Sequence, residues 1–246
     1  MNALFGRIAG LIEAERRFTA DAAHELRTPI AAIRAQAQVA LGAGSDEATR
    51  TTALQHTLAG CDRATHLVEQ LLTLARLEAH GSAVRETVDL VRTTREVLAA
   101  LAPRALARRQ ALSLDGADRA TLQGVPLLLD VLVHNLVDNA LRYAPDGARV
   151  CVDVTQAGDA VTLRVQDSGP GLDEAQRERL GERFFRVLGS AAPGSGLGWS
   201  IVRRIAQAHG ASVTTARSAA LGGLDVTVRF PADAPADQRA PNQRCA

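Results

Sequence analysis

The chain has 246 residues, of which 46% are hydrophobic and 22% are charged. This length fits two domains or one large one, and the composition is that of a globular protein able to bury a core. The formal net charge is +1, so no basic excess indicates a nucleic-acid partner. All 28 basic residues are arginine, which excludes a Walker A loop because that loop needs a lysine for the transferred phosphate.

The cysteines and the hydropathy pattern also limit the class of protein. The three cysteines are widely spaced and odd in number, which argues against a disulfide framework or a zinc site and favours a reducing compartment. No stretch approaches the roughly 20 uninterrupted apolar residues of a membrane helix, and the N-terminus has no signal-peptide pattern. We therefore expect a soluble chain, with a disordered tail over residues 232–246.

The first part of the chain has helical periodicity. Apolar residues recur at spacings of three, four or seven from Asn2 to about Leu41, and a second stripe runs from Leu54 to Ala75. Gly42 to Asp46 separates the stripes with a helix stop and an N-cap candidate, so residues 1–80 should form an antiparallel all-α hairpin. Because one hairpin cannot bury both apolar seams, we expect a homodimer whose hairpins form a four-helix bundle. Cys61 lies on this stripe and is expected in the core of the bundle.

From residue 88 to residue 231, strand patterns alternate with helical patterns. The predicted helices are Val91–Leu101, Pro126–Tyr143 and Ser200–His209, and the predicted strands are Arg149–Thr155, Val161–Val165, Ser212–Thr215 and Leu224–Phe230. This order predicts an α+β domain with helices on one face of a mixed sheet, joined to the hairpin by a hinge at residues 81–87.

A first candidate site lies in the first predicted helix, in the run from Phe18 to Ile30. His24 and Thr28 are four residues apart and share one helix face. Pro29 cannot donate a hydrogen bond to the preceding turn, which predicts a bend at the histidine. Neutral imidazole is a competent nucleophile near pH 7, and Glu25 could hold its tautomer. The alternative is a solvent-facing histidine in a proline-kinked coiled coil. The other histidines, His209 among them, are expected to be surface or capping residues.

A second candidate site lies in the strongly apolar helix Pro126–Tyr143. Asn135, Asn139 and Tyr143 follow one another at four-residue spacing, with Arg142 alongside, so one face of the helix is polar. Amide oxygens are suitable ligands for Mg²⁺, and arginine can replace lysine as a phosphate clamp. The alternative is a helix face that merely lies in water.

Two glycine-containing segments follow this helix. Asp167 directly follows a predicted strand, where its carboxylate could accept from the amine of adenine while Gly169 and Gly171 permit a tight turn. A second run opens the last helix, where free N–H groups and the helix dipole favour phosphate. Its members are Gly194, Ser195, Gly196, Leu197 and Gly198. Taken alone, each segment could be an ordinary turn or linker.

The run around His24 resembles the phosphoacceptor motif of sensor histidine kinases. The later segments, together with Glu182 to Arg186, resemble the N, G1, F and G2 boxes of the Bergerat ATP-binding fold. These five motifs occur in the family's order and cover nearly the whole chain. The resemblance thus implies a helical hairpin followed by an α+β sandwich of the Bergerat ATPase type, here similar to proteobacterial quorum-sensing and polymyxin-response kinases.

The resemblance also implies roles for single residues. Asn139 would coordinate Mg²⁺, while Asn135, Arg142 and Tyr143 contact the ATP. Asp167 and its glycines would hold adenine, and Arg142, Arg186 and the lid between Gly171 and Gly194 would surround the triphosphate. Glu25 and Thr28 would form a phosphatase pattern in which Thr28 orients a water. Two departures from the family pattern are Trp199, where an aliphatic residue is usual, and Arg142, where lysine is commoner.

By the same resemblance, His24 receives a phosphoryl group from ATP and passes it to an aspartate of a cognate response regulator. The kinases of this family normally carry a sensor region and membrane helices, so we expect this chain to be the cytoplasmic portion of a bacterial inner-membrane receptor. Membrane association would come only through such a region. Two alternatives are a gyrase-like or chaperone-like ATPase clamp, and a dimeric scaffold without kinase activity.

Overall fold

The computed structural model describes residues 26–79, 84–158, 160–180 and 198–231. The chain divides into two compact units, one ending at Arg76 and the other beginning at Leu77. The first contains the predicted helical hairpin and the second contains the predicted mixed α and β elements. The predicted tail, 232–246, lies outside the described residues.

Two helices form the hairpin. Helix α1 runs through residues 26–42 where it is described, and α2 spans Glu47–Ala79. Between them Gly44 has a left-handed backbone with a φ of 56°. Asp46 caps α2 by accepting from the Thr49 backbone N–H at 3.0 Å and from the Thr49 hydroxyl at 2.7 Å. The predicted helix stop and N-cap are therefore confirmed.

The apolar stripe of α2 is largely uncovered in the single chain. Leu54, Leu58 and Val68 are 49%, 66% and 41% exposed. Cys61 is exposed as well in the single chain, and its place in the core of a dimeric bundle stays a prediction. Two helices bury only the sides that face each other, which leaves the remaining seam in solvent.

The second unit contains seven described strands and four described helices. The strands are β1 (Glu86–Asp89), β2 (Ala111–Gly116), β3 (Thr121–Gly124), β4 (Arg149–Ala157), β5 (Ala160–Asp167), β6 (Ser212–Arg217) and β7 (Leu224–Pro231). The helices are α3 (Leu90–Ala107), α4 (Pro126–Tyr143), α5 (Glu174–Glu178) and α6 (Gly198–Ala208). A five-stranded sheet has the order β2-β4-β5-β7-β6, and β1 pairs with β3 in a separate sheet. Only β2 and β4 run parallel, so the larger sheet is mixed.

The core lies between one face of this sheet and the helices. Alternate strand residues point into it, and Val152, Leu163 and Val228 are fully buried. Helix α4 packs between α3 and α6. Its buried apolar residues include Leu129, Leu132, Val133, Leu136, Val137 and Leu141. The predicted layer of helices on one face of a mixed sheet is thus confirmed.

Several elements differ from the predicted ones. Glu86 and Thr87, placed in the predicted hinge, belong to β1, which pairs with β3. Helix α3 was expected to end before Pro103, but it continues through this proline to Ala107. Ala105 is only 1% exposed, so burial of the last turn outweighs the missing proline N–H. The strands β1, β2 and β3 and the short α5 were not predicted.

His209, expected to be a surface or capping residue, is buried just beyond the end of α6 and caps that end. Its Nδ1–H donates to the Ile205 carbonyl at 2.8 Å, and its Nε2 accepts from the Val125 backbone N–H at 3.1 Å. These bonds define a neutral ring that ties the end of α6 to the beginning of α4. Burial lowers the pKa of His209, against the Ile205 hydrogen bond, and nearby Arg85 lowers it further.

We expect protonation of His209 to destabilise the second unit. Because the folded pKa lies below the ordinary value of 6.5, the unfolded chain binds this proton more readily. The free energy of unfolding should therefore fall as the pH drops below about 6.5, until the folded pKa is passed. Urea denaturation between about pH 5 and pH 7 should give a flatter pH dependence for His209→Gln than for the wild type. His56→Gln, at an exposed position of α2, is the control, and an equally steep dependence in His209→Gln would contradict this assignment.

Candidate functional site

The polar face of α4 lies against the first residue of α6. An ideal Cβ on Gly198 would lie 2.9 Å from Asn135 Oδ1 and 3.3 Å from Asn139 Nδ2. The first distance is shorter than a real Cβ contact, so any larger residue at the start of this helix would have to displace the Asn135 side chain. The structure therefore brings Gly198 together with both asparagines. Trp199, the next residue, is partly exposed.

Asn139 carries an unsatisfied polar group. Its Nδ2 atom is buried and has no hydrogen-bond partner within the described ranges. Asn135, by contrast, donates from Nδ2 to the Val131 carbonyl at 2.8 Å in its own helix. A buried amide without a partner costs about 1–3 kcal/mol, and an unsatisfied group in a native fold calls for an explanation. Asn139 is suited to receive a ligand.

Asp138 lies between the two asparagines in sequence and was not singled out from the sequence. It is 5% exposed. One carboxylate oxygen pairs with Arg104 of α3, and the other pairs with Arg142 of α4 at 2.5 Å. These ion pairs tie α3 to α4 and hold the Arg142 side chain beside the asparagine face. The four-residue spacing of Asp138 and Arg142 is the signal that could have revealed the second pair.

Asp167 ends β5 with a buried carboxylate that is 7% exposed. Its Oδ1 accepts from the backbone N–H groups of Gly169 at 2.8 Å and Leu224 at 3.3 Å. Its Oδ2 accepts no hydrogen bond from the part of the chain that is described. Burial raises the pKa of the Asp167 carboxyl, and the two N–H groups oppose this rise. One oxygen is therefore left for a donor on a ligand.

The turn after Asp167 packs on the end of α4. An ideal Cβ on Gly169 would lie 3.4 Å from the Ala144 Cα and 3.5 Å from the Tyr143 carbonyl oxygen. Tyr143 is 39% exposed at this end of the helix. Gly171 has a φ of 70°, a backbone that favours glycine. The Asp167 turn and the start of α6 thus both contact α4, the helix that carries the two asparagines.

The remaining predicted site residues fall in two groups. Thr28 is an exposed residue of α1, in the unit separate from α4. The others lie outside the described residues: His24, Glu25, Arg186, Gly194, Ser195, Gly196 and Leu197.

Both halves of the chain match known domain families. Residues 14–80 match the His Kinase A (phospho-acceptor) domain. Residues 124–234, which contain α4, Asp167 and α6, match the histidine kinase-, DNA gyrase B-, and HSP90-like ATPase family. Within the described ranges, no helix combines the length and the hydropathy needed to cross a membrane.

Curated relatives carry sensor names. Sensor protein QseC of Salmonella typhi is 43% identical over 235 residues, which cover 94% of this chain and 51% of that protein. Sensor protein kinase PmrB of Pseudomonas aeruginosa is 38% identical over 245 residues, which cover 98% of this chain and 50% of that protein. The chain spans about half the length of these curated relatives.

Solved structures include similar kinases. The mycobacterial sensor histidine kinase MprB is 28% identical with a TM-score of 0.54, and the match covers 60% of this chain and 97% of that one. The histidine kinase AdeS of Acinetobacter baumannii, 23% identical, has a TM-score of 0.65 over 85% of this chain and 98% of that one. The second likeness concerns the fold alone.

The mixed sheet, the helices on one of its faces and the asparagine helix define the class of ATP-binding domain that histidine kinases share with DNA gyrase B and HSP90. Here this domain follows a phosphoacceptor domain in the same chain. The chain belongs to the sensor histidine kinases of two-component systems. Membership of this family supports the use of ATP.

We expect the Asp138 ion pairs to stabilise the second unit. In Asp138→Asn, Arg142, whose side chain is 18% exposed, loses its ion pair with Asp138, and Arg104 loses its pair with the same carboxylate. Breaking a largely buried pair in this way should lower the free energy of unfolding by about 3 kcal/mol. The control is Asp146→Asn, which breaks the Arg108 pair between side chains that are 32% and 62% exposed. That change should cost less than about 1 kcal/mol. Equal losses for the two variants in urea denaturation would contradict the prediction.

Proposed function

We propose that this protein uses Mg²⁺-ATP to phosphorylate its own His24 and then transfers the phosphoryl group to an aspartate of a response regulator. One observation carries the proposal: the buried Asn139 amide has no partner within the described residues, and it lies beside Gly198 at the start of α6. A group left unsatisfied in the free protein gains a partner when a ligand binds. The family membership identifies that ligand as ATP.

In this proposal the second unit holds the nucleotide from two sides. Asp167 accepts the exocyclic amine of adenine through Oδ2, because Oδ1 is already engaged by backbone donors. Asn135, Arg142 and Tyr143 lie on the α4 side of the site. Arg186 and the run Gly194–Gly198 are proposed to contact the phosphates, where the N–H groups of a helix start favour anions.

Asn139 is the proposed protein ligand of Mg²⁺ through its amide oxygen, Oδ1. Its Nδ2, an N–H donor without a partner among the described residues, would then be available to a phosphate oxygen of the nucleotide. The adjacent Asp138 is engaged by two arginines and is therefore a poor candidate. Within the described ranges, no three histidine, cysteine or acidic residues are placed to form a metal cage. A single amide is nevertheless sufficient, since Mg²⁺ usually keeps waters and phosphate oxygens as its other ligands. When bound, the ion would neutralise charge on the phosphates.

The proposed reaction forms a bond between the His24 imidazole and the γ-phosphorus as the bond to the ADP oxygen breaks. Glu25 would hold the other ring nitrogen and so fix the tautomer. The phosphoryl group would then pass to the regulator aspartate, which regenerates the histidine. We also propose phosphatase activity in which Thr28, exposed on α1, orients the attacking water with the help of Glu25.

The exposed stripe of α2 supports a homodimer formed through the hairpins. Leu54 and Leu58 are 49% and 66% exposed, and a four-helix bundle would cover them. The proposed setting is the cytoplasmic side of a bacterial inner membrane, with the response regulator as partner. The phosphoacceptor domain is proposed to be 1–80. Because β1 begins at Glu86, the ATP-binding domain is proposed to be 86–231, joined to the hairpin at 81–85.

We expect His24→Gln to remove labelling of the protein by ATP radiolabelled at its terminal phosphate. The side-chain amide of glutamine is not a nucleophile comparable to imidazole, so incorporation should fall to the background. The wild-type product should be labile in acid and stable in alkali, as a phosphoramidate is. His56→Gln, which changes an exposed histidine of α2, should label like the wild type.

Labelling of His24→Gln to the wild-type extent would contradict the proposed phosphoacceptor. Rapid ATP turnover without labelled protein would instead indicate a clamp ATPase, and no Mg²⁺-dependent ATP binding would indicate a scaffold.

We expect Asp167→Asn to weaken nucleotide binding without lowering the free energy of unfolding. Loss of the charged acceptor should weaken ATP binding by about tenfold to a hundredfold. Burial raises the folded pKa above the ordinary 3.8, so the stability that this carboxyl contributes in acid is lost as the pH rises through the folded pKa. At pH 7 the variant should therefore unfold with an equal or larger free energy than the wild type. A variant that binds ATP normally, or is clearly less stable, would contradict this account.

A further inference from the structure

The turn between β6 and β7 lies directly behind the Asp167 carboxylate. The Gly223 N–H donates to the Asp167 carbonyl at 3.1 Å, and the Leu224 N–H donates to Asp167 Oδ1 at 3.3 Å. Regular pairing of β5 with β7 ends one residue earlier, at Gln166 and Asp225. The side chain of Asp167 therefore takes the place of a main-chain partner where the strand pair ends.

Gly223 fits this place because it has no side chain. An ideal Cβ would lie 2.2 Å from Asp167 Oδ1, 2.4 Å from the Asp167 carbonyl oxygen and 2.6 Å from Gly169 N. Two of these atoms belong to the backbone and cannot move aside cheaply. The φ of Gly223 lies outside the left-handed region. Space, and not the backbone angle, thus requires glycine here.

Hydrogen bonds hold this turn in place. The Ser218 N–H donates to the Gly223 carbonyl at 2.8 Å. The hydroxyl of Ser218, which is 2% exposed, accepts from the Leu221 N–H at 3.0 Å and from the Gln166 side-chain amide at 2.9 Å. Since Gln166 precedes Asp167 in β5, the turn is attached to the strand that carries the carboxylate.

We propose that Gly223 is a positioning residue for recognition of the adenine base. Because Gly223 has no side chain, the β6–β7 turn lies close to Asp167, and Oδ1 of Asp167 accepts from backbone N–H groups. Oδ2 is then available to accept from the exocyclic amine. This inference rests on the proposed binding of ATP. A carboxylate accepts from an amine but not from a carbonyl, so a well-placed Asp167 distinguishes adenine from hypoxanthine, which carries a carbonyl at that position. Displacement of the carboxylate weakens ATP binding more than inosine triphosphate binding.

The test measures dissociation constants of ATP and inosine triphosphate, each with Mg²⁺, for the full chain. We expect the wild type to prefer ATP. Gly223→Ala should weaken ATP binding by about tenfold or more and inosine triphosphate binding by less than about threefold.

The matched control is Gly222→Asn in the same turn. Gly222 has a φ of 85° and nothing within 4 Å of an ideal Cβ. Because asparagine tolerates this backbone, both dissociation constants should stay within about twofold of the wild-type values.

Combined substitutions separate positioning from general damage to the fold. In an Asp167→Asn background, Gly223→Ala should add little to the loss of ATP affinity, because the carboxylate through which it acts is gone. A fully additive loss overturns the proposal. If Gly223→Ala does not fold, Ser218→Ala replaces it, since that change removes the bond to Gln166 without adding volume and should lower the preference for ATP.

An unchanged preference for ATP in the folded variant overturns the role of Gly223. A wild-type protein that binds both nucleotides equally would contradict the role of Asp167 instead. A protein that binds neither nucleotide would contradict the proposed function itself.

Discussion

Close approach of glycine backbone to polar side chains is the constraint on which the proposed nucleotide site depends. At Gly198 the approach is to Asn135, and at Gly223 it is to Asp167, in both cases nearer than a Cβ allows. Helix α4 is fixed in position because its other face is buried on the sheet. The start of α6 therefore contacts α4, and the β6–β7 turn contacts β5. At Gly223 backbone atoms leave no room for a side chain, and at Gly198 a side chain would have to displace Asn135.

The same site works against the stability of the free protein. The unpartnered Asn139 amide and the buried Asp167 carboxyl, whose pKa is raised by burial, are both unfavourable without a ligand. An unsatisfied buried group costs about 1–3 kcal/mol. Leu129, Leu132 and Leu141 of α4 are 0% exposed, and burial of each such side chain contributes about 1.5–3 kcal/mol. The apolar face thus keeps α4 in place while its polar face stays available.

Sequence periodicity predicted the long elements, because many alternations or turns define them. The bounds of α4 agree at both ends, where Pro126 begins the helix and the apolar pattern stops after Tyr143. Short strands such as β1, with four residues, have too few alternations to be recognised, and their pairing partners are distant in sequence. Motif spacing singled out Asn139 and Asp167 as candidates. It could not identify Gly223, because a glycine pair between two strands looks like any hairpin turn until the distance to Asp167 is known. The burial of His209 was not predicted for a related reason: its partners Val125 and Ile205 offer backbone groups, which carry no sequence signal.

The two units differ in how they reach stability. The ATP-binding unit closes its own core, with residues such as Leu163 and Phe230 fully buried. The hairpin leaves Leu54 and Leu58 49% and 66% exposed, so under the proposed dimer part of its stability comes from association. A change in the packing of the bundle would therefore act on the hairpin unit, whose sequence includes the proposed phosphoacceptor, while the core around Asn139 and Asp167 stays intact. Such a division suits a kinase that regulates transfer to its histidine without rebuilding its nucleotide site.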